Sequence, residues 1–515
     1  MNKEQILWAD DEIDLLKPHI LFLQNKGYEV TTVTNGRDAL DAISQQNFHL
    51  IILDENMPGI SGLEALQQIK IAQPNVPVIM ITKSEEENIM NQAIGSEIAD
   101  YLIKPVNPMQ ILLSIKKNLH SEALVAQKAT SDYQQEFMSI SQQIAMASTI
   151  DDWYQLYNTL VRWELTLSNA ETGMADMLRM QKQEANSAFA KMVKRNYEKW
   201  VTTDDHPLMS NEIFKTQIFP HIDAGEKVCF IVIDNFRLDQ WRTISPLLND
   251  YFNIEKEELY TTILPTATQY ARNAIFSGLM PIDIERMFPE LWVDEDENEG
   301  KNLNEAPLIQ TILDRYRRKC KFSYNKLNDS AAGERLVQHF AQLKNFDLNV
   351  IVFNFVDILS HARTESKMIR ELAYTDEAYR SLTVTWFKNS YVLEIFKRIA
   401  EQGWKIVLTT DHGTTRVDNA IKVIGDKNTN TNLRYKVGKN LSYNPRQVYE
   451  IKQPKRFGLP LLNVSSTYIF ASGRDFFAYP NNYNHYVQYY NDTFQHGGIS
   501  MEEMLVPLIT LTPKK

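Results

Sequence analysis

Cysteine is almost absent. Cys229 and Cys320 are the only two in 515 residues, too few for a disulfide framework and without metal-ligand spacing. Long apolar runs are missing as well: nothing approaches the roughly 20 residues that cross a bilayer, so no membrane span is expected. Positive charge is short, with 54 Lys and Arg against 65 Asp and Glu and a formal net charge of −11. With no terminal helix-turn-helix pattern, that balance argues against a dedicated DNA-binding output domain. The opening MNKEQILWADD leads almost directly into a strand of buried type, so no signal peptide and a cytoplasmic location are expected. What is present is ordinary globular material, 43% hydrophobic and 23% charged. It is too long for one core, and two or three domains are expected.

Residues 1–120 alternate apolar strands (ILWA, EVTTV, LIILD, VPVIMIT, DYLIK) with amphipathic stretches, the pattern of a doubly wound parallel (βα)5 sheet. Over 121–205 the strand pattern vanishes. Trp153, Leu156, Leu160, Trp163 and Leu167 repeat at helical spacing, TIDDW favours a helix start, and glycine and proline nearly disappear. This reads as a helical bundle or connector, with the Met and Trp stripe as its core. Over 206–515 the α/β pattern returns, and VCFIVI, VIVFNF, KIVLTT, STYIFA and VPLITL read as strands of a larger sheet. Two charge biases stand out there. The acidic run Asp294–Glu299 reads as a solvated loop. From Asp418 to Arg456 cations (Lys422, Lys427, Arg434, Lys436, Lys439, Arg446, Lys452, Lys455, Arg456) interleave with Tyr435, Tyr443 and Tyr449. That stretch is either a solvated insertion or a lid for a polyanionic substrate.

Asp10, Asp11 and Asp54 fall at the ends of the first and third strands, where such a sheet opens a crevice. Three carboxylates together repel unless a hard cation joins them, and Mg²⁺ suits a few carboxylates plus water and phosphate oxygens. Thr82 ends the fourth strand, and Lys104 precedes Pro105 after the fifth. With Met57-Pro58-Gly59 and Tyr101, these positions resemble the receiver domain of bacterial response regulators. The resemblance implies Asp54 as phosphoacceptor, and Asp10, Asp11 and the backbone carbonyl of Asn56 as Mg²⁺ ligands with it. It also implies Thr82 and Tyr101 as a switch pair and Lys104 as the phosphate's counter-charge. Lys83 departs from the family's small residue and would alter access to the acyl phosphate.

A second constellation follows three strands: Asp234, Asp357-x-x-x-His361 and Asp411-His412, with His496 later in TFQHGG. The four-residue spacing puts Asp357 and His361 on one helical face. Three aspartates and three histidines fit two zinc-like ions beside a hydroxyl nucleophile, equipment for cleaving phosphate esters. LPTATQYARNAIFSGLMP supplies the hydroxyl: Thr268 stands at an expected helix N-terminus, with Thr266 the runner-up and a mere N-cap role open for either. These positions resemble the alkaline phosphatase superfamily, including its nucleotide pyrophosphatase/phosphodiesterases, and more closely the PglZ branch. The resemblance implies two Zn²⁺: one held by Asp234, Thr268, Asp411 and His412, the other by Asp357, His361 and His496. Thr268 would attack phosphorus, and Asn235 or Arg272 would steady a phosphate oxygen. The sulfatase pattern does not fit, since Tyr270 and not proline follows Thr268 by two.

Receiver, helical connector (121–205) and alkaline-phosphatase-like α/β domain (206–515), in that order, resemble PorX-type response regulators of bacteria with type IX secretion. The resemblance implies a sensor histidine kinase, contacts with secretion-motor and sigma-factor proteins, and a homodimer formed on phosphorylation. The basic, tyrosine-rich stretch suits a nucleotide or oligonucleotide phosphodiester as substrate better than a small sugar phosphate. Two functional classes follow: a phosphorylation-controlled zinc phosphodiesterase, or a non-catalytic adaptor whose zinc site is structural or ligand-sensing.

Overall fold

A computed structural model describes residues 3–83, 87–168, 172–294, 302–426, 429–463 and 465–514. Residues 295–299 of the acidic run and Lys427 of the basic stretch lie outside the described residues. The chain divides into two compact units, Met1–Ser131 and Asp132–Lys515.

The first unit is a parallel sheet of β1 (Gln5–Ala9), β2 (Glu29–Val33), β3 (Leu50–Leu53), β4 (Val78–Thr82) and β5 (Asp100–Ile103), in the order β2-β1-β3-β4-β5. Alternate residues feed two cores, as the two-residue strand period requires. Leu7, Ile51, Leu53 and Met80 face one side. Trp8, Ile52, Ile79 and Ile81 face the other, with Ile111 and Ile115 of helix Pro108–Met146. Strand order reverses between β1 and β3, so the crevice opens at their C-terminal ends, where Asp10 and Asp54 stand. Helix Gly62–Ala72 begins against this point with a Ser61/Glu64 capping box. A Cβ on Gly62 would lie 2.3 Å from the Asp54 carbonyl oxygen, so only glycine lets the helix start there.

The second unit holds the remaining strands: β6 (Val228–Ile233), β7 (Phe252–Thr261), β8 (Phe322–Leu327), β9 (Leu348–Phe353), β10 (Lys405–Thr409), β11 (Thr415–Val417), β12 (Asn419–Lys422), β13 (Tyr435–Gly438), β14 (Tyr449–Ile451), β15 (Thr467–Phe470), β16 (Asp475–Ala478), β17 (Thr493–Gln495) and β18 (Leu505–Pro513). Six of them form the main sheet, ordered β7-β18-β10-β6-β9-β8. β10, β6, β9 and β8 run parallel, while β18 is antiparallel to both β10 and β7. The C-terminal ends of β7, β10, β6 and β9 therefore share one edge of the sheet.

One sequence expectation needs correction and another needs qualifying. STYIFA is not in the large sheet: β15 pairs with β13 and β14 in a separate three-stranded sheet. A four-residue apolar strand carries no mark of the sheet it joins. The basic stretch is more than a loop: it supplies β13 and β14 and buries two of its cations, while Lys422, Lys439, Arg446, Lys452, Lys455 and Arg456 are exposed. Arg434 is fully enclosed against Glu503, with Nε to Oε1 3.1 Å and NH2 to Oε2 2.6 Å. Lys436 Nζ donates to the Asn430 carbonyl at 2.8 Å and lies 4.8 Å from the Tyr479 ring centre.

The helical residues from Asp132 onward are built into this second unit. Helix Ile150–Thr166 starts at a Thr149/Asp152 capping box, and Trp153, Leu156, Leu160 and Trp163 are buried. From helix Thr172–Thr202, the Asn186 side chain donates to Glu502 (2.9 Å) and accepts from the Met501 backbone (2.8 Å). Tyr197 OH accepts from the Leu264 N–H at 2.7 Å. These helices thus grip the chain just before Thr268 and just after His496.

Candidate functional site

In the first unit, ligand oxygens of Asp10, Asp11 and Asp54 lie within 4.8 Å of one another. Lys104 Nζ stands 2.6 Å from Asp54 Oδ2 and 2.8 Å from Asp10 Oδ2. Burial pushes the Asp54 carboxyl above its ordinary pKa although Lys104 opposes this. Burial also works against the Lys104 charge, but bonds from Asp10 and Asp54 outweigh it and hold the ammonium above its usual value. The Asn56 N–H reaches Asp54 Oδ1 at 3.4 Å. Thr82 is buried at the end of β4, and Tyr101 packs half-buried against the Leu7 and Leu53 side of the core. Lys83 and Glu12 form a 2.6 Å surface ion pair.

In the second unit the shared sheet edge gathers every expected donor. Asp234 follows β6, Asp411 and His412 follow β10, and Asp357 and His361 sit four apart on helix Phe355–Glu365 after β9. His496 follows β17. The donors fall into two groups, Asp234, Asp411 and His412 in one and Asp357, His361 and His496 in the other, each with ligand atoms within 4.8 Å of one another. The groups abut, since the His412 and His496 rings stack with centres 4.2 Å apart. Thr268 opens helix Thr268–Ser277, and its Oγ1 stands 3.1 Å from His412 Nε2 and 3.4 Å from Asp234 Oδ1. The N-cap is Ala267, so Thr268 is not spent on capping. Thr266 is engaged elsewhere: its hydroxyl donates to the Gly498 carbonyl (2.9 Å) and accepts from the Gly497 N–H (3.0 Å).

The protonation pattern fits cation ligation. His412 Nδ1 lies 3.0 Å from the Gly413 carbonyl and His496 Nδ1 3.1 Å from the Thr266 carbonyl. A carbonyl only accepts, so each Nδ1 carries the hydrogen and each Nε2 turns a lone pair into the site. Burial lowers the pKa of both rings, that of His496 to about 4 with the nearby His412 adding to the effect. Both are therefore neutral near pH 7. Burial and the Asp234 charge push the Asp411 and Asp357 carboxyls up. Asp234 is also buried, but the guanidinium of Arg272, joined at low pH by the two rings once protonated, outweighs that and holds it low. Asp411 Oδ2 is buried and accepts no hydrogen bond. An orphaned carboxylate oxygen among imidazole lone pairs is what a divalent cation would satisfy.

Arg272 and Asn235 are not free to steady a phosphate oxygen. The Arg272 guanidinium is 1% exposed, with NH1 on Asp234 Oδ2 (2.8 Å) and Nε on Glu305 Oε1 (2.5 Å). Glu305, itself buried, also accepts from Tyr324 OH and from Lys326 Nζ at 3.0 Å. Charge in that number cannot be buried unpaired, so this network holds Asp234 from behind. Glu305 was missed in the sequence, where it merely follows an acidic run.

A carboxylate trio with a lysine at the switch point of a parallel sheet, and a phosphatase-like donor set on a mixed sheet, define a two-component regulator with an alkaline-phosphatase-like second unit. The chain belongs to the PglZ family: the model for the BREX system PglZ alkaline phosphatase-like domain matches residues 213–511, over half its length. A response regulator receiver domain matches residues 6–116 and a PorX response regulator linker domain residues 123–201, and the three together match a PorX-type regulator. Among curated proteins, the transcriptional regulatory protein ResD of Bacillus subtilis is 32% identical over 115 residues, 22% of this chain and 48% of its own length. The alginate biosynthesis transcriptional regulatory protein AlgB of Pseudomonas putida is 33% identical over 125 residues, 24% of this chain and 28% of its own. The chain thus spans about half or less of these relatives. Similar solved structures include a receiver domain protein from Methanospirillum hungatei (28% identity, 23% of this chain and 96% of that one, TM-score 0.23). Another is TrrA from Thermotoga maritima in complex with Mg²⁺-BeF (32%, 22% and 99%, TM-score 0.21). No described helix is long and apolar enough to cross a membrane.

Proposed function

We propose that the chain is a two-zinc phosphodiesterase under the control of Asp54 phosphorylation. The observation that carries this reading is the meeting of six metal-type donors and one threonine oxygen at a single sheet edge. Asp234, Asp411 and His412, with Thr268, would hold one ion, and Asp357, His361 and His496 the other. Bound zinc supplies Lewis-acid charge that lowers the pKa of the threonine hydroxyl and neutralises phosphoryl oxygens. Thr268 Oγ1 attacks phosphorus as the far ester P–O bond breaks, its proton passing to solvent and the departing alkoxide taking one back. The N-terminal end of helix Thr268–Ser277, which Thr268 opens, would favour the phosphoryl charge. Water then cleaves the phosphothreonine and restores the hydroxyl. The nucleotide-like character of the diester rests on the basic, tyrosine-rich stretch and the family resemblance.

Hydrolysis of bis(p-nitrophenyl) phosphate and of short oligonucleotides, before and after chelation, tests this. Rates should fall to background on metal removal and return with Zn²⁺. Metal-replete protein inactive on every diester would favour the adaptor reading.

In the first unit, Asp10, Asp11 and the Asn56 carbonyl would hold Mg²⁺ with Asp54, which accepts the phosphoryl group of a sensor kinase phosphohistidine as the P–N bond breaks. Thr82 and Tyr101 then shift, and receivers pair into a dimer that raises catalysis. Regulation of type IX secretion from the cytoplasm, through secretion-motor and sigma-factor contacts, belongs to the same proposal. Asp54→Asn should abolish labelling by acetyl phosphate with Mg²⁺, scored by phosphate-dependent gel retardation. Retardation equal to wild type would place the acceptor elsewhere.

A further inference from the structure

The geometry points to Asn235 as a positioning residue that ties the two donor groups together and selectively sets the affinity of the Asp357, His361 and His496 group. This rests on the two-metal reading and deepens it. Asn235 directly follows Asp234 at the end of β6, with φ 63° in the left-handed region and no exposed surface. That backbone turn sends consecutive side chains to different groups: Asp234 to the first, Asn235 to the second. The Asn235 Nδ2 donates to Asp357 Oδ1 and to Ser360 Oγ, both at 3.1 Å. Its backbone N–H lies 3.4 Å from Asp411 Oδ1 in the first group.

The amide cannot turn over. Ser360 Oγ donates its hydrogen to the Asp357 carbonyl at 2.8 Å, so toward Asn235 it accepts. A flipped amide would set Oδ1 against a carboxylate. The unflipped orientation leaves the buried Asn235 Oδ1 without a hydrogen bond, a cost the site bears to keep Nδ2 on Asp357. Pinning Asp357 Oδ1 stops rotation of the carboxylate, whose Oδ1 stands 3.7 Å from His496 Nε2 and whose Oδ2 stands 3.5 Å from His361 Nε2. Loss of such a support weakens a metal site by about 10–100-fold.

Glycine tests this cleanly, because it satisfies a left-handed backbone without an amide. Zinc affinities of the full chain are read by competition with a chromophoric chelator. Wild type should hold two ions. Asn235→Gly should keep one at its original affinity and bind the other about 10–100-fold more weakly. Ser360→Ala, which leaves the backbone turn untouched, should weaken the same ion by less. The inference fails if Asn235→Gly holds both ions as wild type does, or weakens both alike. Should Asn235→Gly not fold, an unchanged second ion in Ser360→Ala overturns it. Wild type that takes up no zinc overturns both this inference and the two-metal reading.

Discussion

Thr268→Ala should lower the turnover of a chromogenic phosphodiester by about 10³-fold or more, at least about 4 kcal/mol of transition-state stabilisation. The expectation follows from where the hydroxyl stands: 3.1 Å from His412 Nε2, 3.4 Å from Asp234 Oδ1, and at the first residue of a helix. The runner-up hydroxyl does not replace it, because Thr266 is fixed between Gly497 and Gly498. Zinc content should survive, since Asp234, Asp411 and His412 remain. The control is Thr266→Ala, which frees the backbone that carries His496 and should weaken zinc retention along with rate. Equal hydrolysis by wild type and Thr268→Ala would reject Thr268 as nucleophile. A comparable fall that zinc addition rescues would assign it to ligation alone.

Much of this site was legible because ligands in such sheets gather at the carboxyl ends of strands. Asp234, Asp357 and Asp411 each follow an apolar run, and His361 lies one turn beyond Asp357, so periodicity alone brings them near one edge. His496 is different: it reaches the site from the segment before β18, and only its resemblance to a family pattern could mark it. The roles of Arg272, Glu305 and Asn235 were illegible for another reason. They make contacts across 19 to 176 residues, and nothing local distinguishes an arginine that holds a carboxylate from one that greets a phosphate. Strand β7 escaped notice because residues 253–258 are exposed and the last four of them, 255–258, are charged. That pattern suits an edge strand guarding against pairing with another chain, but it hides the usual apolar signature. In the basic, tyrosine-rich stretch, charge count does not tell a solvated cation such as Lys452 from one enclosed by a carboxylate such as Arg434.

That enclosed cation carries the largest stability effect. Arg434→Met should destabilise the second unit by about 3–5 kcal/mol, the range for breaking one side of a buried pair. Arg434 and Glu503 are both without exposed surface, and two parallel bonds join them. Arg434 also donates to the Asp475 carbonyl, while Glu503 accepts from the Gly498 N–H (2.8 Å) and from Ser500 Oγ (2.7 Å). Removing the guanidinium leaves a fully buried carboxylate without its counter-charge, directly behind the turn that presents His496. Urea unfolding should therefore show a lower midpoint, and zinc affinity should fall with it. Replacing both residues, Arg434→Met with Glu503→Gln, should recover part of the loss, because the uncompensated charge goes with its partner. A single variant that unfolds at the wild-type midpoint would mean that the carboxylate finds another cation or a proton at little cost. A double variant no better than the single would put the cost in packing rather than charge, and the basic stretch would then owe its place to shape alone.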